Sequence, residues 1–164
     1  MRRILVGVAL LLVPLVGANA GFKFGAELGV YHGFGVGIQS GSVGTNFELA
    51  AGYQPLFLII TNADEFRVVS TADFSAGVFQ TFGGAEKKFR PGAMFTVHYN
   101  TTLGFGLGAG FKGILVAGKM EVNVNAGLKF YFNGKKNLED QEGLLEADFL
   151  GSSLVIGLGA GLMF

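Results

Sequence analysis

The chain has 164 residues, no cysteine and a formal net charge of zero. One domain is the default at this length, disulfides and thiolate metal sites are excluded, and the electrostatic case for nucleic-acid binding is removed. Glycine (28 residues) and phenylalanine (17) are abundant, tryptophan is absent, and no G-x-y period points to collagen.

Residues 1–20 read MRRILVGVALLLVPLVGANA. Arg2 and Arg3 make a positive n-region, an apolar run follows from Ile4 to Gly17, and Ala18-Asn19-Ala20 is an A-x-A cleavage pattern. This is the layout of a secretory signal peptide, and the run is short for a membrane anchor. Cleavage after Ala20 leaves a chain with ten basic and twelve acidic side chains, the two arginines having gone from twelve basic residues. Later apolar stretches are interrupted every second or third residue, so none reads as a spanning helix of ~20 residues. Residues 21–164 form the second unit.

From Gly21 on, the hydrophobic period is two. Phe22, Phe24, Ala26, Leu28 and Val30 share one face, and Lys23, Gly25, Glu27, Gly29 and Tyr31 the other. The alternation runs on to Ile38, as one long strand or as two split near His32-Gly33. Further strands are expected at 43–51, 55–61, 72–80, 92–99, 103–112 and 119–132. Asn62-Ala63-Asp64 reads as a turn, followed by an extended return. Asn133-Gly134 is a turn signal, and 133–143 (NGKKNLEDQEG) reads as a charged loop with 144–149 as a possible hairpin arm. The last strand, 153–164, carries Leu154, Ile156, Leu158, Ala160, Leu162 and Phe164 on one face. The count is eight strands, or ten if 22–38 divides and 65–70 is added.

The second face is not a solvent face. It is dominated by glycine with isolated Lys, Glu, Asn and Ser, and only 15% of the chain is charged. The apolar face has phenylalanines where an interfacial girdle would lie, at Phe22, Phe24, Phe111, Phe130, Phe132 and Phe164. Unpaired backbone in hydrocarbon costs several kcal/mol per group, so such strands must close into a barrel. The expected fold is all-β, a transmembrane antiparallel up-and-down barrel with apolar residues toward lipid. Glycines at 104, 106, 108, 110, 157, 159 and 161 suit a narrow lumen and strong coiling. Lys23, Lys112 and Lys129 then oppose Glu27, Glu48 and Glu121, with Asn123 and Asn125, in a polar network that plugs the lumen.

These features resemble the small outer-membrane β-barrel proteins of diderm bacteria, over essentially all of 21–164 and at the level of architecture. The resemblance implies an outer-membrane location, contact with outer-membrane lipid, and periplasmic chaperones and the barrel assembly machinery as partners in biogenesis. It also implies that Phe164, Leu162, Ala160 and Leu158 act as the assembly signal. No specific subfamily motif is matched, and no surface ligand is read from the sequence.

Chemistry is thin. His98 lies on the lumen-facing parity beside Thr96 and Asn100, with no serine or carboxylate visibly paired. His32 lies on the lipid-side parity and reads as a turn or interfacial residue. No G-x-S-x-G motif occurs. Two isolated histidines without cysteine make no transition-metal set, and Glu139, Asp140, Glu142, Glu146 and Asp148 lack the pattern of a calcium loop. GFGLGAG and GLGAG alternate within strands and are not dinucleotide loops. Lys87, Lys88 and Arg90 read as a small basic patch in the 82–91 turn, meeting anionic headgroups or serving as a polar cap. No enzyme activity, cofactor or metal is expected. The first functional reading is a non-enzymatic structural or surface barrel presenting loops. The alternatives are a small channel or lipid-handling barrel and, more weakly, a soluble periplasmic calycin-like ligand binder.

Overall fold

The computed structural model describes residues 21–60, 65–142 and 154–164. The expected signal peptide (1–20), the Asn62-Ala63-Asp64 turn and the hairpin arm at 144–149 lie outside these. The strands are β1 (Lys23–Gly29), β2 (Phe34–Gln39), β3 (Thr45–Ile60), β4 (Glu65–Thr81), β5 (Phe89–Asn100), β6 (Gly104–Ala117), β7 (Met120–Tyr131) and β8 (Leu154–Met163), with one described helix, α1 (Gly134–Glu142), between β7 and β8. They close in sequence order, every neighbour antiparallel, and β8 pairs back onto β1.

The total of eight agrees with the first expectation, but the chain is divided differently. The 22–38 stretch is two strands, broken by a turn in which Gly33 takes φ 83°. The segments expected at 43–51 and 55–61 are one strand that runs through Pro55. Its neighbour is continuous from 65 to 81. Proline is tolerated because β2 accompanies β3 only as far as Tyr53, so Pro55 stands where β3 has a single partner. β6 and β7 meet in a tight turn at Gly118-Lys119, where Gly118 takes φ 67° at the first central position.

The register sets the shape. The row of partners from Gly25 passes through Gly37, Ala50, Ser75, His98, Gly106 and Tyr131. Continued over β8 it rejoins β1 about ten residues further on, which with eight strands tilts them by roughly 40° and leaves an interior that side chains fill. Outward faces carry Leu28, Val36, Leu49, Phe95, Val97, Val124 and Ile156, all exposed. Aromatic side chains ring both ends. Phe34, Tyr53, Phe74, Tyr99, Phe105, Phe130 and Phe132 mark the end away from the termini, and Phe22, Phe24, Phe82, Phe89 and Phe164 the terminal end.

The far end is capped. Beyond Tyr53 and Ala72, β3 and β4 continue as a two-stranded ribbon from Gln54↔Thr71 to Ile60↔Glu65, roughly 20 Å long at ~3.3 Å per residue. Leu56 and Val69 on the ribbon pack with Leu103, Tyr131 and Leu138, and Val155 lies against them. Leu138 belongs to α1, so the charged loop expected at 133–143 is corrected to a helix. It forms because Asn133 starts it, its carbonyl taking the Asn137 N–H at 2.9 Å, because Lys135 and Glu139 pair one turn apart at 3.8 Å, and because the buried Leu138 anchors it.

Lumen-facing glycines make room for particular side chains. A Cβ at Gly157 or Gly127 would stand 2.8 or 2.9 Å from the Tyr31 ring, one at Gly106 2.7 Å from Tyr131, and one at Gly161 2.7 Å from the Glu27 carboxylate. Gly157→Val is therefore expected to cost about 1–3 kcal/mol by overpacking. In a double-mutant cycle Tyr31→Gly should relieve much of that loss, measured by urea unfolding from lipid vesicles. Additive losses would place the strain elsewhere.

Candidate functional site

The lumen is built in layers, each from several strands. At the terminal end, Lys23 lies 2.5 Å and Arg90 3.5 Å from Glu121. Gln39 donates to Glu121 at 2.9 Å and accepts from Asn123 at 2.9 Å. Arg90 also donates to Ser42 Oγ at 2.7 Å and to the Ala85 carbonyl at 2.8 Å. Arg90 is thus removed from the expected basic patch. β5 begins at Phe89, and the strand parity turns Arg90 inward while Lys87 and Lys88 stay exposed.

In the middle layer the buried Lys112 ammonium pairs with Glu48 and lies 4.5 Å from the Phe79 ring centre. Glu27 is buried against Gly37 and Gly161. Asn125 is fully buried with both amide atoms unpaired among the described residues.

The β1–β2 turn enters the lumen rather than leaving the barrel. Tyr31 and His32 are buried there. His32 Nδ1 shares a hydrogen bond with Ser75 Oγ at 2.9 Å, and its Nε2 faces Glu48 at 3.6 Å. His32 does lie in a turn, as expected, but the lipid-side, interfacial placement is corrected: the ring is buried in the lumen, because strand parity does not govern a residue inside a turn that folds back on itself.

Above this, four groups form a hydrogen-bonded chain. Tyr31 OH meets Thr96 Oγ1 at 3.0 Å, Thr96 Oγ1 meets His98 Nε2 at 2.7 Å, and His98 Nδ1–H donates to Asp73 at 2.8 Å. Tyr131 OH donates to the other Asp73 oxygen at 2.8 Å, and Lys129 stands 3.7 Å from it. Lys129 also donates to the Val30 and Tyr31 carbonyls at 3.1 and 3.0 Å and to Gln54 Oε1 at 3.0 Å.

The sequence set Lys129 against the glutamates. Its carboxylate here is Asp73, which also supplies the acid that sequence reading did not find for His98. Asp73 and His98 both lie on lumen parity, but they are 25 positions apart and meet only because β4 and β5 pair Ser75 with His98.

Thr–His–Asp is the order of a nucleophile, base and orienting acid. Here Thr96, His98 and Asp73 are each 0% exposed, and the Thr96 hydroxyl is engaged by Tyr31. As arranged, the chain ties the β1–β2 turn to β5, β4 and β7. No group of three or more His, Asp or Glu side chains fit to hold a metal occurs among the described residues. Phe164, Leu162, Ala160 and Leu158 line the outer face at the β8–β1 seam, where the Phe164 N–H donates to the Phe24 carbonyl at 2.9 Å.

No protein-family model and no curated protein matches the chain. Among solved structures, a major outer membrane protein from Thermus thermophilus is similar, at 16% identity and a TM-score of 0.49, over 88% of this chain and 100% of that one. A likeness at that level carries no argument about what this chain does.

The buried pair offers a direct test. Lys112→Met strands the Glu48 charge and is expected to cost about 3–5 kcal/mol, whereas Lys112→Met with Glu48→Leu should recover most of it. Urea unfolding from vesicles reads both. Equal losses in the single and double variants would mean that packing, not charge, is at stake.

Proposed function

We propose that this protein is a non-enzymatic outer-membrane barrel that spans the bilayer, keeps its lumen plugged, and presents the β3–β4 ribbon and α1 at the membrane surface. The observation that carries the reading is the inversion of polarity across a closed wall. Outside, apolar side chains form a continuous band between two aromatic rings, whereas Lys112, Lys129, Asp73, Glu48 and Glu121 are buried inside. Water would make such a surface costly at ~1.5–3 kcal/mol for each large apolar side chain left exposed, and hydrocarbon removes that cost. Closure suits the same medium, since it leaves no edge in the band.

The signal-peptide pattern at 1–20 supports export, with cleavage after Ala20. Phe164, Leu162, Ala160 and Leu158, displayed on the seam strand, are suited to recognition by the assembly machinery before β8 closes on β1. The layered lumen and its apolar cap favour a structural or surface role over a channel. The buried polar interior also disfavours the calycin-like reading, which needs an apolar cavity.

The decisive experiment folds residues 21–164 into detergent micelles and compares unheated with boiled samples on a denaturing gel. A heat-modifiable band with a sheet spectrum is expected, and planar bilayers should show no stepwise conductance. A monodisperse, folded protein without detergent would overturn the membrane reading. Reproducible single-channel steps would overturn the plug.

A further inference from the structure

We propose that the β1–β2 turn stoppers a lateral port in the barrel wall, and that the chamber behind it binds a monoacyl lipid with an uncharged, oxygen-rich head group. The proposal rests on the membrane-spanning reading above.

β1 and β2 are the two shortest staves. β1 covers β8 only from Gly159 to Met163, although β8 continues to Leu154 in full register with β7. β2 begins at Phe34, opposite Tyr53 in the far aromatic ring. Between the uncovered edge of β8 and Phe34, among the described residues, stands only the turn at 30–33. Its backbone joins β8 at one point, the Leu158 carbonyl, which accepts the Val30 N–H at 2.7 Å and the Tyr31 N–H at 3.3 Å. The gap opens level with the far aromatic ring, since across β7 Leu154 pairs with Phe130 and Ile156 with Leu128. Its lip is strongly apolar: Ile156 and Leu158, 72% and 66% exposed, are the two most exposed large apolar side chains described.

The turn is held in the lumen mainly by side chains of other strands. Lys129 donates to the carbonyls of Val30 and Tyr31, and Gln54 Nε2 donates to the Val30 carbonyl at 3.1 Å. When the turn swings out, both donors need replacement acceptors, because a buried polar group without a partner is costly. Lys129 already faces Asp73, so the local charge is balanced and neutral ester and hydroxyl oxygens fit better than a second anion. The space released by the Tyr31 ring is bounded by the backbone at Gly108, Gly127 and Gly157 and ends at the Thr96 hydroxyl. A glycerol-sized head placed there has donors and an acceptor within reach, and its acyl chain lies out through the gap over Ile156, Leu158 and Phe34. The turn's own fit is incomplete, since His32 Nε2 and Glu48 Oε1 face each other without a hydrogen bond.

The test folds the barrel into phosphatidylcholine vesicles with a trace of a monoacylglycerol carrying a photoreactive diazirine in its acyl chain, and maps adducts by mass spectrometry. Wild type, Tyr31→Gly and Lys129→Met are each first checked for heat modifiability. Adducts are expected to concentrate at Ile156, Leu158 and Phe34 over Phe95 and Val97 on the opposite wall. Tyr31→Gly should raise that ratio several-fold, and Lys129→Met should bring it to parity. If Tyr31→Gly does not fold, the wild-type ratio and its loss in Gln54→Leu decide instead.

Uniform labelling of a heat-modifiable barrel, or seam labelling that no variant moves, overturns the port and leaves the membrane reading standing. Seam labelling by a photoreactive fatty acid but not by the monoacylglycerol overturns the neutral head group. A barrel that folds without detergent removes the membrane reading, and the port with it.

Discussion

Closing eight strongly staggered strands leaves a lumen about one side chain deep, and the rest of this protein follows from filling it with polar side chains drawn from different strands. Wall residues that point inward cannot all be large. Glycine therefore occupies inward positions on β6, β7 and β8, and at Gly106, Gly108, Gly127, Gly157 and Gly161 a side chain from another element takes the vacated volume. Tyr31 is the clearest case. It reaches the lumen because β1 stops early and its turn folds inward, so three neighbouring strands supply glycine to receive one phenol ring.

The same constraint orders the charges. A lone buried ammonium or carboxylate would cost several kcal/mol, and the lumen answers with acid–base partners from different strands: Lys23 and Arg90 with Glu121, Lys112 with Glu48, Lys129 with Asp73. Every such pair cross-links the wall through its interior. Histidines 32 and 98 lie between the middle and upper groups, 6.2 Å apart ring to ring. Where the lumen meets the far mouth the chemistry changes to apolar packing of Leu138 against Leu56, Val69 and Leu103. On the membrane reading, this cap stands at the boundary where lipid gives way to water.

The period of two and the parity of each strand are local properties, so the inward set of Glu48, Lys112, Asn123 and Lys129 and the outward set of Leu128, Phe130 and Ile156 are legible from residue order alone. Parity fails where the chain leaves the strand. His32 sits in a turn, so its alternating position says nothing about where its ring goes. The helix at 134–142 was hidden for a related reason: NGKKNLEDQE is polar around most of its circumference, and its one strong apolar residue, Leu138, gains meaning only from the cap it completes.

Sequence by itself determined the all-β class, the faces of the strands and the glycine-rich lumen, because alternation and turn chemistry act over a few residues. It left eight or ten strands open, and the division into eight was settled by pairing, which separates β1 from β2 and makes β3 one strand. Register, and with it every partner inside, was decided only by tertiary structure. Asp73 meets His98 across the β4–β5 pairing, Glu48 meets Lys112 across the lumen, and Tyr31 finds its glycines on strands more than seventy positions away. A shift of one residue in any pairing would preserve the composition of the chain and exchange inside for outside. Only the simultaneous closure of all eight strands selects the register in which Glu48, Asp73 and Glu121 each meet a cation.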